Sequence, residues 1–289
     1  MSYILFTDSS ADLPWDYYKN NNVEFIPMQV TMDDNEVYVD DGSMDSKTFY
    51  QKMRDGVVFK TSMFTEYQFV DAFEPFLEKG IDIIYLGLTA GLSGSHDGAK
   101  AAQKQLLEKY PDRKIFVPQT SAASLGLGLL VHETVKQRDA GLDYDALCKW
   151  VDDNKLTIHH RFTVDDLMFL FRGGRVTRSK AMLGTVMGMK PLMYADIEGK
   201  LKSHDKVRGR KNSLIGIAKE MLQYCDSKEL DTIAICHGDC EDDAQFLLSE
   251  VKKNYKVNNA IINPLAAAIG THVGPGCIAL FFVGKTRTE

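Results

Sequence analysis

The run Ile81-Asp82-Ile83-Ile84-Tyr85-Leu86-Gly87-Leu88 constrains the fold more than any other segment. It is almost continuously apolar, is bounded by Gly80 and by Thr89-Ala90-Gly91, and is far too short to cross a bilayer. A strand of this kind is covered on both faces, the condition of a parallel sheet sandwiched by helices. Its neighbours fit. Tyr3–Thr7 and Lys114–Pro118 read as further strands, and Thr65–Leu77 places Phe69, Val70, Phe73, Phe76 and Leu77 on one helical face. A helix runs on to Leu107, and another spans about 123–138. Strand–helix alternation predicts a parallel α/β domain. Val23–Met32 reads as one strand that enters a hairpin turning at Asp33-Asp34-Asn35.

The second half has another rhythm. Leu156–Val164 is a strand candidate, followed by a short helix, the turn Phe171–Arg175, and a Met- and Leu-rich helix over about 179–189. Pro191–Val207 reads as a hairpin turning at Glu198-Gly199. Helices at 209–225 and 241–254 alternate with strands at Asp231–Cys236, Asn259–Leu265 and Cys277–Gly284. Hairpins among helices predict an α+β domain with a mixed, largely antiparallel sheet. The polar stretch Asp152-Asp153-Asn154-Lys155 sets the boundary: 1–153 for the α/β domain, 154–289 for the α+β domain. A ligand site between the two is expected.

Charge narrows the function classes. A formal net charge of −6 gives the molecule no electrostatic reason to seek nucleic acid or an anionic membrane. The first residues lack the basic and apolar regions of a signal peptide, so a cytoplasmic protein without stable membrane insertion is expected. The five cysteines are scattered and odd in number, which argues against a disulfide framework. Cys236 and Cys240 flank His237, but no second ligand pair stands at metal-site spacing, so no metal is expected.

In an open parallel sheet, ligands bind beyond the carboxyl ends of the strands. The segments expected there are Thr7–Ser10, Thr61-Ser62, Thr89–Ser95 and Gln119–Ser121. They are rich in hydroxyls, hold no lysine or cysteine, and include Ser93-Gly94-Ser95 at a helix start, where free N–H groups point outward. Such an edge suits an anion met by neutral donors. Catalysis fits less well, since a serine nucleophile needs an oriented base and Ser93 has only His96 nearby in sequence. A phosphatase or hydrolase using Asp8 or Ser93 is the alternative. The second half supplies Arg172 and Arg175 around Gly173-Gly174, and His272 in a glycine-rich turn. Lys206, Arg208 and Arg210 belong to a basic run that is either a solvated face or a docking patch for an acidic partner. Phe171, Leu183, Met187 and Met189, with Met168 and Leu170, form either a core helix pair or an adaptable lining for a long mobile chain.

Seven segments resemble the DegV family in the family's order: Phe6–Pro14, Lys60–Ser62, Leu88–His96, Ser121–Gly128, Leu167–Val176, Lys206–Lys211 and Ile269–Gly276. The resemblance covers essentially the whole chain. It implies a two-domain protein that binds a long-chain fatty acid between its domains and needs no cofactor. It also implies an ATP-dependent fatty acid kinase as partner, a separate protein that phosphorylates the bound carboxylate. Thr61, Ser62 and Ser93 would hold that carboxylate, with Gly94 and Ser95 beside them, and Arg172 or Arg175 and His272 near it. Lys206, Arg208 and Arg210 would meet the kinase, and Phe171, Leu183, Met187 and Met189 would line the acyl chain. The chain departs from the family at Met63-Phe64, Ser95-His96-Asp97 and Gln119-Thr120.

Overall fold

The computed structural model describes residues 3–33, 36–177 and 188–288. The predicted helix over 179–189 and the turn residues Asp34 and Asn35 therefore lie almost entirely outside the described residues.

The described residues form three sheets. Strands β1 (Tyr3–Asp8), β2 (Val23–Ile26), β6 (Asp82–Tyr85) and β7 (Ile115–Phe116) form a wholly parallel sheet in the order β2-β1-β6-β7. Strands β3 (Gln29–Met32), β4 (Glu36–Val39) and β5 (Phe59–Ser62) make a small antiparallel sheet ordered β4-β3-β5. The second half supplies β8 (Ile158–Thr163), β9 (Met189–Ala195), β10 (Leu201–Arg208), β11 (Glu229–His237), β12 (Lys256–Pro264) and β13 (Ile278–Val283). Their order is β10-β9-β8-β13-β11-β12, antiparallel except for the β11–β12 pair. The expected α/β plus α+β class is the class observed.

Two expectations change. Val23–Met32 is not one strand: Pro27 has no N–H to offer a ladder, and the chain breaks there into β2 and β3, which join different sheets. Thr61 and Ser62 are not in a loop at the parallel sheet's edge but at the end of β5.

Helices fill the layers between. The chain forms α1 (Trp15–Asn20), α2 (Ser46–Arg54), α3 (Glu66–Leu77), α4 (Ser95–Lys109), α5 (Leu125–Asp139), α6 (Tyr144–Asn154) and α7 (Leu167–Arg172). Thr65 starts α3 with a reciprocal cap on Gln68. Helices α3 and α4 cover one face of the parallel sheet, where Phe6, Phe69, Phe73, Tyr85 and Leu106 share a core. Beyond these lie α8 (Arg210–Tyr224), α9 (Glu241–Lys252) and α10 (Ala267–Val273).

The central strands of the six-stranded sheet, β8, β13 and β11, are buried on both faces with a period of two. Ile233, Ile235, Ile278, Leu280 and Phe282 pack with Leu214, Ile217 and Met221 of α8 and Leu247 of α9. Ala234, Cys236, Ala279 and Phe281 face the other way and share a cluster with α5 and with Leu5 and Ile84 of the parallel sheet. Thus one continuous core spans residues on both sides of 153. Helix α5 runs against β8, β11 and β13, and its first two turns, residues 125–131, are buried on every side. Its Gly126 is required by close approach, since a Cβ there would fall 2.2 Å from His160 Nε2.

Candidate functional site

Between the inner face of the six-stranded sheet and the first half lies a deep cavity. Together with the solvent at its mouth it holds about 880 Å³ of unfilled space. Phe162, Ala195, Leu201, Cys236, Ala279 and Phe281 line it from the sheet. Met28, Leu88, Leu92, Ala122 and Ala123 close it from the first half; Leu265, Ala268, Ile269 and Val273 do so from α10 and the segment before it. Such a wall offers a ligand hydrophobic burial at about 25 cal/mol per Å².

The polar lining consists of Thr61, Ser62, Ser93, Arg175 and His272, with Ser124 and His160 as further polar residues. Thr61 Oγ1 lies 2.8 Å from His272 Nε2. The end of β5 is tied to the start of α4: Phe64 N–H donates to Ser95 Oγ at 3.0 Å, and Ser95 Oγ meets Ser93 Oγ at 2.9 Å. Ser95 is fully buried and spent on this tie, so it fixes Ser93 rather than lining the cavity. Gly94 is also outside the lining; Met63 Sδ would lie 2.7 Å from a Cβ there. Ser62 is exposed at the mouth.

Burial, reinforced by the Arg175 charge, pushes His272 down to about 3, so its imidazole is neutral at physiological pH. Its Nδ1 is buried without a hydrogen-bond partner. A Cβ on Gly173 would fall 2.3 Å from that nitrogen, which explains why the turn after α7 carries glycine. The Nε2–H tautomer suits these surroundings best. It leaves Nδ1 as a bare lone pair, and its proton goes to Thr61 Oγ1, freeing the threonine O–H to donate into the cavity.

The two candidate arginines separate. Arg175 lines the cavity, with Nε on the Leu92 carbonyl at 3.2 Å. Arg172 is exposed, its guanidinium 5.6 Å from the centre of the Phe169 ring, and is not part of the lining. Helix α7 ends between them, so the two side chains leave on different sides.

The expected chain-lining residues need correction. Phe171 and Met189 do not line the cavity, while Leu183 and Met187 lie outside the described residues. The apolar lining comes from inward-facing residues of the sheet instead, among them Phe162 of β8 and Ala279 and Phe281 of β13. Lys206 and Arg208 are exposed on β10, whereas Arg210 is half-buried and pairs with Asp243 at 2.8 Å and Asp165 at 3.4 Å.

Three carboxylates build the site; sequence reasoning missed Asp12 and Asp40 and singled out the third, Asp8, only as an alternative nucleophile. Asp40 accepts from Ala267 N at 3.2 Å and Ala268 N at 2.9 Å, and Asp12 accepts from Ala266 N at 2.9 Å and from Ser124 Oγ at 2.6 Å. Both hold the N-terminus of α10, the helix that carries His272 in its last turn. The third, Asp8, is fully buried and receives Ser10 N, Ser10 Oγ, Tyr85 Oη and Leu88 N. Four donors on two oxygens leave no nucleophile, and the Ser93 hydroxyl is bonded to Ser95, not to a base. The phosphatase or hydrolase alternative has no support in this geometry. The signal for Asp12 and Asp40 was their position after strand-like runs, which alone does not say what they cap. Buried Arg287 adds a second fastening, donating to Ala195 O and Asp196 O at 2.9 Å and to Ser121 O at 3.0 Å.

Comparison with known proteins places these features in a lineage. The model of the DegV family, described as uncharacterised proteins, matches residues 3–285. A DegV domain-containing protein from Clostridium perfringens is 37% identical over 287 residues, 99% of this chain and 98% of the relative. A DegV family protein from Thermus thermophilus, described by its fatty acid binding, superposes with a TM-score of 0.88 at 28% identity, covering 98% of this chain and 100% of that one. A Thermotoga maritima protein described as revealing fatty acid binding function gives 0.86 at 25% identity, covering 98% and 99%.

Proposed function

The chain belongs to the DegV family, and on that footing we propose that it binds one long-chain fatty acid in the cavity, tail along the sheet and carboxylate at Thr61, Ser62 and Ser93. The observation that carries this reading is the shape of the lining: mostly apolar, with the hydroxyls of Thr61, Ser62 and Ser93 grouped with a neutral histidine. The fatty acid binding of the Thermus and Thermotoga relatives supports it.

The energetics agree. A 16-carbon tail contributes about 0.8 kcal/mol per buried methylene, on the order of 10 kcal/mol before ordering costs. A carboxylate stripped of water would cancel much of that unless donors met it. Hydroxyl hydrogen bonds to a carboxylate are charge-assisted and about twice as strong as neutral ones. Arg175 adds a positive field, and two of its five N–H donors serve the Leu92 and Gly173 carbonyls.

On this reading the protein is a carrier without cofactor or catalytic residues, and it presents the carboxylate to a separate ATP-dependent kinase. Neutral hydroxyls leave the carboxylate oxygens nucleophilic, as phosphoryl acceptance requires. Exposed Lys206 and Arg208 would contribute to that partner's docking. No helix among the described residues is long and apolar enough to cross a membrane.

Native mass spectrometry of freshly purified protein, before and after mild organic extraction, tests the proposal. One fatty acid of excess mass, lost on extraction, is the expected result. No acyl chain, even after incubation with palmitate or oleate, would overturn it.

A further inference from the structure

Among the described residues, Met63 is the methionine most open to solvent: 63% of it is exposed, and every other is buried or half-buried. It nevertheless belongs to the cavity wall. Met28 lines the same cavity but is only 3% exposed, so Met63 alone joins an accessible sulfur to a place in the lining. Its sulfur has a seat. A Cβ on Gly94 would fall 2.7 Å from Met63 Sδ, so the missing side chain lets the thioether rest against the start of α4. Two hydroxyls assigned to the carboxylate flank that seat, since Ser62 precedes Met63 and Ser93 precedes Gly94. Ser95 Oγ receives the Phe64 N–H and can donate to Ser93 Oγ, which leaves the Ser93 proton for a ligand. A thioether, a weak acceptor, does not compete for such protons. Met63 also stands where the chain departs from the DegV pattern.

We propose that Met63 is an oxidation site that sets the grip on the carboxylate: a peroxide converts it to the sulfoxide, and the bound lipid is loosened. The inference rests on the fatty-acid reading above and adds a modification that regulates that site. In the reaction, a sulfur lone pair forms a bond to one peroxide oxygen while the O–O bond breaks. The other oxygen leaves with the electron pair and takes up the proton of the transferred oxygen, so hydrogen peroxide becomes water. Sulfur is oxidised by two electrons and the peroxide is reduced by two. The product is polar and sets an oxygen acceptor beside the hydroxyls. That oxygen takes a proton the carboxylate would otherwise receive, and its negative end faces a like charge. Losing one hydrogen bond to a charged group corresponds to roughly 10- to 150-fold in affinity. Methionine sulfoxide is reducible by dedicated reductases, so the change is reversible.

The test treats the intact protein and Met63→Leu with limiting hydrogen peroxide, which is then removed. Peptide mass spectrometry locates the added oxygen, and displacement of a fluorescent fatty acid gives palmitate affinity. The readout is each protein's own ratio of affinities, treated over untreated. Oxygen is expected at Met63 ahead of every other methionine. Wild type is expected to lose roughly tenfold or more, and Met63→Leu to stay within about twofold of its untreated value. A methionine sulfoxide reductase should restore the wild-type affinity, a result that holds even if the variant folds poorly. Oxidation that begins at other methionines, an unchanged affinity once Met63 is fully oxidised, or an equal loss in Met63→Leu would overturn the proposal. If untreated wild type binds no palmitate, the fatty-acid reading fails and the regulation falls with it. A failure confined to the treated-to-untreated ratio overturns the regulation alone.

Discussion

The Thr61 hydroxyl stands 2.8 Å from Nε2 of His272, a residue 211 positions away, and the pair joins β5 of the first half to α10 of the second. With the imidazole neutral, the contact orients the threonine proton toward the cavity. Thr61→Val keeps the shape and removes that proton. A lost hydrogen bond to a charged group costs about 1.5–3 kcal/mol, so palmitate affinity should fall roughly 10- to 150-fold. Thr61→Ser should retain most of it. Displacement titration measures both, and a valine variant that binds like wild type would remove Thr61 from the carboxylate site.

Gly173 and Gly174 are adjacent yet predict different outcomes. Gly173→Ala drives a methyl into His272 Nδ1, so lipid affinity should drop more than tenfold with a modest change in melting temperature. Gly174 has φ 74° and nothing within 4 Å of an added Cβ. Gly174→Ala should therefore cost about 1 kcal/mol of backbone strain while leaving affinity nearly intact. Titration and thermal melting of the two variants side by side separate the effects.

Asp40 gives the fold a pH signature. Burial raises its carboxyl to about 6, opposed by the α10 N–H groups and Ser9. A raised folded-state value means the folded protein holds the proton more tightly than the unfolded chain. The corresponding stability is present below about pH 4 and is lost as pH rises through about 6. Wild type should thus lose roughly 3 kcal/mol relative to Asp40→Asn across that window. Urea midpoints of both proteins from pH 4 to 7 read the difference, and parallel curves would contradict it.

Arg287 holds the hairpin arm at Ala195-Asp196 and the loop at Ser121 with one guanidinium. Arg287→Met leaves three buried carbonyls without that donor, which should cost about 3 kcal/mol or more. The melting temperature should fall by about 5–10 °C. Because Ala195 and Leu201 line the cavity, bound lipid should also exchange faster, a change visible in dissociation kinetics.

Much of the fold was legible because its signals are local. The run at Ile81–Leu88, the face repeated along α3 and the turn at Glu198-Gly199 each follow from spacing or turn chemistry. The hydroxyls Thr61, Ser62 and Ser93 stood out in the sequence, and the structure brings them to one cavity. What was not legible depends on which way a residue faces. Strands buried on both sides read as unbroken apolar runs, so nothing in the sequence of β13 separates inward Phe281 from outward Phe282. The choice between Arg172 and Arg175 turns on where α7 stops. Pro27 carried a signal that the surrounding apolar residues masked.

The clamps on α10 reach very far along the chain: Asp12 and Ala266 are 254 residues apart. Closing so long a loop is slow relative to forming local structure. During synthesis, the parallel sheet and its helices are complete long before α10 emerges to finish the cavity wall. Under the proposed function, lipid capture is therefore a property of the finished chain, and a nascent protein on the ribosome would not sequester fatty acid, however well its first half had already folded.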